Sequence, residues 1–315
     1  MLALVAGSLC IIACINKGTQ LKELALPGEV WQAPDSLILF TDSTKKEIRY
    51  GRELITHTGK YLGPHGSVMA ISNGMNCQNC HLNAGTKPFG NNFSAVASTY
   101  PKFRARSGTI ESIEKRVNDC FERSLNGQPL AEDSREMKAI VSYLKWLGTN
   151  VTQGESPPGA GLPELPFLTI AASPEMGQPL FEKKCSICHG KNGEGLKAED
   201  HAWIYPPLWG AESYNQGAGL FRLSRFAGFI KANMPSGTTY QQPQLTDAEA
   251  WHIAAYVNSM PRPKKDLTQD WPEISKKPID HPFGPYADGF SEWQHKYGPF
   301  KPMVQSRSAD AEKTK

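Results

Sequence analysis

The sequence repeats one pentapeptide pattern, CxxCH, as CQNCH at residues 77–81 and as CSICH at residues 185–189. Two thiols at this spacing lie on one turn of chain, where both can add to the vinyl groups of a haem. The histidine that follows can supply a nitrogen ligand to the iron. Zinc half-sites or redox dithiols would need only the cysteines and would not explain the repeated histidine. The predicted attachment thiols and proximal iron ligands of two covalent haem c groups are Cys77, Cys80, His81, Cys185, Cys188 and His189.

A chain of 315 residues with two such pentapeptides fits two small haem domains in tandem. The sequence resembles a dihaem cytochrome c. Its 24 prolines and 28 glycines suit small domains in which loops wrap a large apolar cofactor. We therefore expect a mainly α-helical fold, with two tandem cytochrome c domains joined by a proline-rich linker and an extended C-terminal segment wrapped across them.

The net charge argues against one class of partner, and the cysteines indicate where in the cell the protein works. The net charge is only +3 and no basic tract is rich enough to hold a phosphate backbone, so we expect no nucleic-acid partner. Of the seven cysteines, four lie in the pentapeptides, two lie in an N-terminal apolar run, and Cys120 remains. Covalent haem is attached outside the cytoplasmic membrane, where an unpaired thiol tends to oxidise. We therefore expect Cys120 to be buried, bound to a metal or reactive.

Residues 2–15 form an apolar run that is too short to cross a bilayer as a lasting helix. We interpret residues 1–14 as an export signal, and IIAC at residues 11–14 resembles a bacterial lipobox, in which Cys14 would be acylated. The basic residues expected before such a run are absent, so simple secretion and an uncleaved hydrophobic anchor remain alternatives. The predicted location is the periplasm or the outer face of the cell envelope, with membrane contact only through a lipid anchor.

A stretch rich in proline and glycine at residues 154–166 cannot form the interior of a helix or sheet, and it marks a domain boundary. The residues after it repeat the plan of those before it, which indicates an internal duplication of a cytochrome c unit. The predicted organisation is an N-terminal extension at 15–43, a first domain at 44–152, a linker at 153–172, a second domain at 173–262 and a C-terminal segment at 263–315.

Apolar periodicity and capping patterns predict the helices of the first domain. We expect an opening helix over residues 44–56 and a second helix over residues 109–125, where apolar residues recur every four positions on one face. A closing helix should follow, with Asp133 and Glu136 as its capping box.

The same patterns recur in the second half of the chain. We expect helices over residues 174–184 and 220–232, and then a final helix to about residue 259 that opens with Thr246 and Glu249 as a capping box. The aromatic C-terminal segment should lie extended across one or both domains, with only residues 305–315 disordered.

The distal ligand of each iron must come from elsewhere in the chain. In the second domain Met234 lies in a loop of the kind from which cytochromes c offer a thioether, with Met260 or another histidine or lysine as the alternative. Packing on the apolar face of the closing helix explains Met137 better than ligation does. The residues alone leave open, for the first iron, Cys120, Met137, His57 and His65.

A longer likeness points to one family. The stretch RVNDCFERS at residues 116–124, together with Arg106, residues 76–82 and the aromatic C-terminal segment, resembles the thiosulfate dehydrogenases, dihaem cytochromes that join two thiosulfates into tetrathionate. The likeness runs over most of residues 44–300 and is specific around Cys120. It implies that Cys120 is the distal ligand of the first haem and the catalytic residue. The other residues that it places in the substrate pocket are Arg106, Arg116 and Ser124.

One position departs from the family. Some relatives offer a lysine just before the distal methionine as a competing ligand, and Asn233 cannot take that role. We therefore do not expect a ligand exchange at the second haem.

The residue types around Cys120 suit a sulfur oxyanion. Arg116, Cys120 and Ser124 are four residues apart, so a helix would place a guanidinium, a thiol and a hydroxyl in one row. Arginine donors fit sulfonate oxygens, and a serine adds a neutral hydrogen bond. We interpret Arg104 and Arg123 as solvent-facing.

The predicted function is an oxidoreductase that couples two thiosulfates to tetrathionate with release of two electrons, or that runs in reverse as a tetrathionate reductase. The first domain would be catalytic and the second would release the electrons. The predicted acceptor is soluble or membrane-bound, such as another cytochrome c.

Two other functions also fit two haems. A non-catalytic electron-transfer cytochrome would have ordinary ligands at both irons and no role for the paired arginines. A dihaem peroxidase would need one iron with an open distal position for peroxide, and no residue pattern clearly marks such a pocket. The surroundings of the first iron therefore distinguish the three functions.

Overall fold

The structure is a computed structural model that describes residues 30–38, 40–199 and 201–313. The predicted export signal with Cys14, and most of the predicted N-terminal extension, lie outside the described residues. Within those ranges, every helix is too short or too polar to cross a bilayer.

Helices dominate the regular structure, and two short antiparallel hairpins, β1 with β2 and β3 with β4, interrupt them. The first half contains α1 (Asp42–Thr56), α2 (Thr58–Leu62), α3 (Leu82–Gly85), α4 (Val96–Thr99), β1 (Lys102–Arg104), β2 (Thr109–Glu111), α5 (Ile113–Arg123) and α6 (Arg135–Leu147). The second half contains α7 (Pro174–Lys184), α8 (Ser186–His189), β3 (Leu196–Lys197), β4 (Trp203–Tyr205), α9 (Leu223–Asn233), α10 (Asp247–Ser259), α11 (Glu292–Tyr297) and α12 (Lys301–Lys313).

Each half is built on one crossing of two helices. Helix α1 packs on α6 in the first half, and α7 packs on α10 in the second. A Cβ atom at Gly51 would overlap the carbonyl oxygen of Ala139, and one at Gly177 would overlap that of His252. The two glycines therefore let the helix backbones approach closely. The repeated crossing agrees with the duplication that the sequence predicts.

The two crossings carry separate hydrophobic cores. Leu54, Met137 and Tyr143 are fully buried in the first core, and Phe181 and Trp251 are fully buried in the second. Met137 is thus a core residue, as its position on the closing helix predicts. The chain between α6 and α7 has no helix or strand among its described residues, and there we place the proposed domain boundary.

Local capping residues mark the starts of α6 and α10, and one of the two caps is the predicted one. Thr246 and Glu249 form the predicted capping box of α10, with hydrogen bonds of 3.1 and 2.8 Å. The prediction of Asp133 as the cap of α6 is wrong, because Ser134 accepts the hydrogen bond from the Met137 amide at 3.2 Å. Glu136 is instead the acceptor for the Tyr50 hydroxyl, which belongs to α1.

Two helices begin later than predicted. Helix α5 starts at Ile113 and not at residue 109, because Thr109 and Ile110 pair with β1 in a hairpin that suits their β-branched side chains. Helix α9 starts at Leu223 and not at residue 220, because Gly219–Phe221 form a separate 3-10 turn.

The C-terminal segment contacts both halves of the molecule. Asp270 accepts two hydrogen bonds from Arg123 of the first half, at 2.8 and 2.7 Å. Asp280 accepts two from Arg222 of the second half, at 2.9 and 2.6 Å. Phe300 is buried in the second core. The segment therefore wraps across both domains, as predicted.

The far end of this segment differs from the prediction. We expected residues 305–315 to be disordered, but α12 continues to Lys313. Met303 is buried in the second core, and Arg307 donates a hydrogen bond to the carbonyl of Lys277 at 3.0 Å. These two contacts hold the helix on the protein surface.

The glycine at the first helix crossing gives a stability prediction. Gly51→Ala should lower the free energy of unfolding by about 1–3 kcal/mol, because the added Cβ pushes α1 away from α6. Gly289→Ala is the control, since nothing lies within 4 Å of a Cβ there. Thermal unfolding of the haem-loaded protein measures both, and equal midpoints would contradict this role of Gly51.

Candidate functional site

The first cavity lies between the CQNCH pentapeptide, α5 and α6. Its volume is about 960 Å³, counting the open space at its mouth. Apolar residues such as Phe93 and Leu144 form most of its wall. The predicted site residues that line it are Cys77, Cys80, His81, Arg116, Cys120 and Ser124. Two thiols, an imidazole and an apolar wall therefore meet as a covalently attached haem requires.

The His81 ring is held in the tautomer that a metal ligand needs. Its Nδ1 donates to the carbonyl oxygen of Asn91 at 2.6 Å, so Nε2 keeps its lone pair. Burial lowers the pKa of His81 to about 4, and the nearby Arg116 lowers it further, against the hydrogen bond to Asn91. Phe93 stacks on the ring with 4.3 Å between centroids. The imidazole is therefore neutral and fixed at neutral pH.

Helix α5 places the predicted reactive row on the cavity wall. Ser112 caps the helix by accepting the Lys115 amide at 3.1 Å, and Phe121 is buried on its core side. Cys120 is the main cause of a raised pKa at Arg116, with burial opposing it. Burial raises the pKa of Cys77 to about 12, and Cys120 adds to this rise. Cys120 thus lies close to both the guanidinium and the attachment thiols.

Arg106 is not among the residues that line the cavity. Burial and the positive charges of Arg123 and Arg116 together lower the pKa of Arg106 to about 10, against the carboxylates of Asp270 and Asp119. Its guanidinium carbon is 5.9 Å from the centre of the Trp271 ring. The structure therefore groups Arg116, Cys120 and Ser124 on the cavity wall and keeps Arg106 as a partly buried neighbour.

Arg123 is not the solvent-facing residue that we predicted. Its side chain is only 12% exposed, and it forms the two-bonded ion pair with Asp270. Arg104 is also partly covered, and its Nε lies 3.9 Å from a Glu111 carboxylate oxygen. Both arginines therefore belong to the structured surroundings of the first cavity.

The other candidates for the first iron lie elsewhere. His57 is exposed beside Glu53, at 3.9 Å, and His65 is exposed with its ring 5.7 Å from that of His201. Met137 is buried in the helix core. Among the four candidates, Cys120 alone lines the cavity. Its role as the distal ligand stays a prediction.

The second cavity opens to solvent and has a volume of about 2010 Å³, counting the open space at its mouth. Cys185, Cys188, His189 and Met234 all line it. The Nδ1 atom of His189 donates to the Pro206 carbonyl at 3.2 Å, which leaves Nε2 for a metal. The residues present therefore fit a second haem with imidazole and thioether ligands.

Asn233 fixes the loop that carries Met234. Its amide nitrogen donates to the carbonyls of Phe229 in α9 and Phe89 of the first half, both at 3.0 Å. Lys87 of the first half adds a hydrogen bond to the Thr238 carbonyl in the same loop, at 3.3 Å. The first domain thus helps to position the predicted distal ligand of the second.

The two cavities are neighbours. Met75, Asn76 and Cys80 line both of them. The first CxxCH pentapeptide therefore borders both cavities, and haems held in them would be near enough to exchange electrons.

Sequence reasoning missed three parts of the site. The Asn91 carbonyl is a backbone group, so no residue type reveals its hydrogen bond with His81. Asp270 and Trp271 lie far along the chain from the residues that they contact. The aromatic character of the C-terminal segment was the one available signal.

Comparisons with known proteins agree with this architecture. A protein-family model described as SoxA/TsdA, cytochrome c domain, matches residues 68–151, and a cytochrome c model matches residues 174–261. The mainly α-helical fold with two tandem cytochrome c domains, and the two covalently bound haems that it implies, are confirmed.

Three named relatives are similar over most of this chain. Thiosulfate dehydrogenase of Psychrobacter arcticus is 39% identical over 240 residues, which cover 76% of this chain and 71% of that protein. Thiosulfate dehydrogenase of Stutzerimonas stutzeri is 35% identical over 269 residues, which cover 84% and 85%. The solved structure of thiosulfate dehydrogenase (TsdBA) from Marichromatium purpuratum, in its as-isolated form, is 31% identical with a TM-score of 0.69 and covers 75% of this chain and 50% of that chain.

The predicted methionine ligand in the second cavity gives a prediction about the reduction potential of the second haem. Met234→His should lower the reduction potential of the second haem by roughly 0.1 V or more, because a thioether ligand raises it and axial ligands set haem potentials over about 0.8 V. Met260→Leu is the matched control, since Met260 packs on the second core and does not line the cavity. Spectroelectrochemical titration measures both. A shift in the control alone would contradict the assignment of Met234.

Proposed function

Because the chain belongs to the thiosulfate dehydrogenase family of c-type cytochromes, we propose that it joins two thiosulfates into tetrathionate beside Cys120 and releases two electrons through its second haem domain. One observation above all supports this proposal. Arg116, Cys120 and Ser124 share a cavity wall with the attachment thiols and His81. A thiol, a cation and a hydroxyl beside a redox cofactor are what coupling of a sulfur anion needs, and a simple electron carrier has no use for them.

Cations are required because the substrates repel each other. Two dianions about 4 Å apart in water repel by roughly 4 kcal/mol, and by more in a drier pocket. Arg116 lies on the cavity wall and Arg106 lies near enough for their charges to interact, so a second positive charge adds to the field where the anions must meet. The forked donors of Arg116 can hold a sulfonate, and Ser124 supplies a further hydrogen bond.

The proposed reaction has two bond-forming steps at one sulfur atom. First, the outer sulfur of one thiosulfate bonds to the Cys120 thiolate, and two electrons leave. Next, the outer sulfur of a second thiosulfate bonds to the outer sulfur of the first, and the bond to Cys120 breaks. Tetrathionate leaves, and Cys120 is again a thiolate. The bound haems supply the one-electron acceptors, with one electron for each.

The predicted ligands of the two haems favour electron transfer from the first cavity to the second. A thiolate at the first site lowers the local potential, whereas a thioether at the second site raises it, so electrons run downhill from the first cavity to the second. The neighbouring cavities support this route. The same groups permit tetrathionate reduction when the redox partner is a strong electron donor.

We propose that electrons leave at the second pentapeptide, where Ile187 is 90% exposed. An exposed apolar residue beside the haem attachment suits brief contact with another redox protein, such as a second c-type cytochrome. The family's c-type cytochromes are secreted, so we place this protein in the periplasm. Acylation of Cys14 stays a prediction.

Replacing Cys120 tests the catalytic role directly. Cys120→Ala should abolish thiosulfate-dependent reduction of ferricyanide, because no sulfur remains to carry the intermediate. Both haems should stay attached, since all four attachment thiols, Cys77, Cys80, Cys185 and Cys188, are unchanged, and haem absorbance per chain checks this. Ser124→Ala, four residues along the same helix, is the control and should keep measurable turnover. Full activity in Cys120→Ala would refute the proposal.

Arg116 gives a second test, of substrate binding. Arg116→Gln should lower kcat/KM for thiosulfate by about 10- to 100-fold, the loss expected for one charge-assisted hydrogen bond. Arg135→Gln on α6 removes the same charge from a side chain that is 67% exposed, and it should change little. Steady-state kinetics at fixed ionic strength measures both. Equal effects of the two substitutions would show that only net charge matters.

A further inference from the structure

Trp271 lies in the C-terminal segment, in an unfavourable local structure. Its φ angle is +63°, in the left-handed region that a bulky residue rarely adopts. The side chain is 8% exposed, and its indole N–H has no hydrogen-bond partner among the described residues. Burying such a donor without a partner is also unfavourable. Strained residues of this kind persist only where the surrounding structure holds them, and they cluster at functional sites.

Trp271 makes two separate contacts with Arg106. Its backbone N–H donates to the Arg106 carbonyl oxygen at 2.7 Å. Its ring centre lies 5.9 Å from the guanidinium carbon, within the range of a cation–π contact. The His281 ring meets the Trp271 ring edge-on, with 5.9 Å between centroids. The indole is therefore packed between Arg106 and a second ring of the same segment.

The chain around Trp271 is fixed to the loop that carries Arg106. The preceding Asp270 holds Arg123 through two hydrogen bonds, and both side chains are nearly buried. The following Pro272 lies so close to Gly108 that a Cβ there would be 2.6 Å from the proline ring. The C-terminal segment is thus fastened to α5 just before Trp271 and to the loop between β1 and β2 just after it.

Arg106 needs such support because its neighbours repel it. Arg116 and Arg123 both lower its pKa, and burial lowers it more, while Asp270 and Asp119 oppose them. A partly buried guanidinium in this field would gain by turning further towards solvent. A ring beside the guanidinium and a hydrogen bond to its backbone keep it in place.

We propose that Trp271 is a positioning residue that holds the guanidinium of Arg106 near Arg116, where its charge strengthens the binding of thiosulfate. The inference rests on the proposed function, because its readout is the binding of thiosulfate. By this proposal the C-terminal segment does more than pack on the two domains. Through Trp271 it also supports a residue of the substrate site. Trp271 itself need not touch the substrate.

Kinetics of the haem-loaded enzyme test this role. Trp271→Leu should raise KM for thiosulfate about fivefold or more with kcat within about twofold, the scale expected for loss of a cation–π contact. Trp271→Phe keeps a ring beside the guanidinium and should stay within about twofold of the wild type. Trp293→Leu, a 57% exposed tryptophan of the same segment, is the matched control and should behave as the wild type.

A double-mutant cycle separates positioning from folding. In an Arg106→Gln background, Trp271→Leu should cause no further rise in KM, because there is no guanidinium left to hold. An equal rise in both backgrounds would overturn the proposal, and so would a Trp271→Leu enzyme with wild-type KM. If the wild-type enzyme oxidises no thiosulfate, the proposed function itself fails and this inference falls with it.

Discussion

Covalent attachment of a flat, apolar haem to a CxxCH turn is the constraint on which this structure depends. Each half must leave room for the group, so its helices pack a hydrophobic core on one side of a cavity. Gly51 and Gly177 permit the same close helix crossing in both halves. A histidine held through Nδ1 by a backbone carbonyl then faces each cavity.

The two cavities are built alike but differ in the chemistry of their far walls. The first presents Cys120 beside the buried guanidinium of Arg116, whereas the second presents Met234 on a loop fixed by Asn233. A thiolate ligand lowers the reduction potential of a haem, and a thioether ligand raises it. A duplicated unit thereby becomes an asymmetric pair, with sulfur chemistry proposed at one end and electron release at the other.

Charge around the first cavity is balanced by chain from the C-terminal segment. Arg106, Arg116 and Arg123 lie close enough to repel one another, and Asp270 pairs with the last of them. An ion pair between partly buried side chains depends on good geometry to offset the loss of hydration, and the two-bonded contact supplies it. The C-terminal segment is therefore part of the site and not a trailing end.

The sequence by itself determined whatever depends on short spacing: both haem attachment sites, the capping box at Thr246, the core position of Met137 and the row from Arg116 to Ser124. Each of these is set by bonds or turns within a few residues. Only the tertiary structure decided the rest. Asp270 finds Arg123 across 147 residues of chain, Thr109 and Ile110 join a hairpin and not α5, and Trp271 reaches Arg106. Such contacts depend on how distant segments of the chain meet in space. A pattern of neighbouring residues cannot predict them.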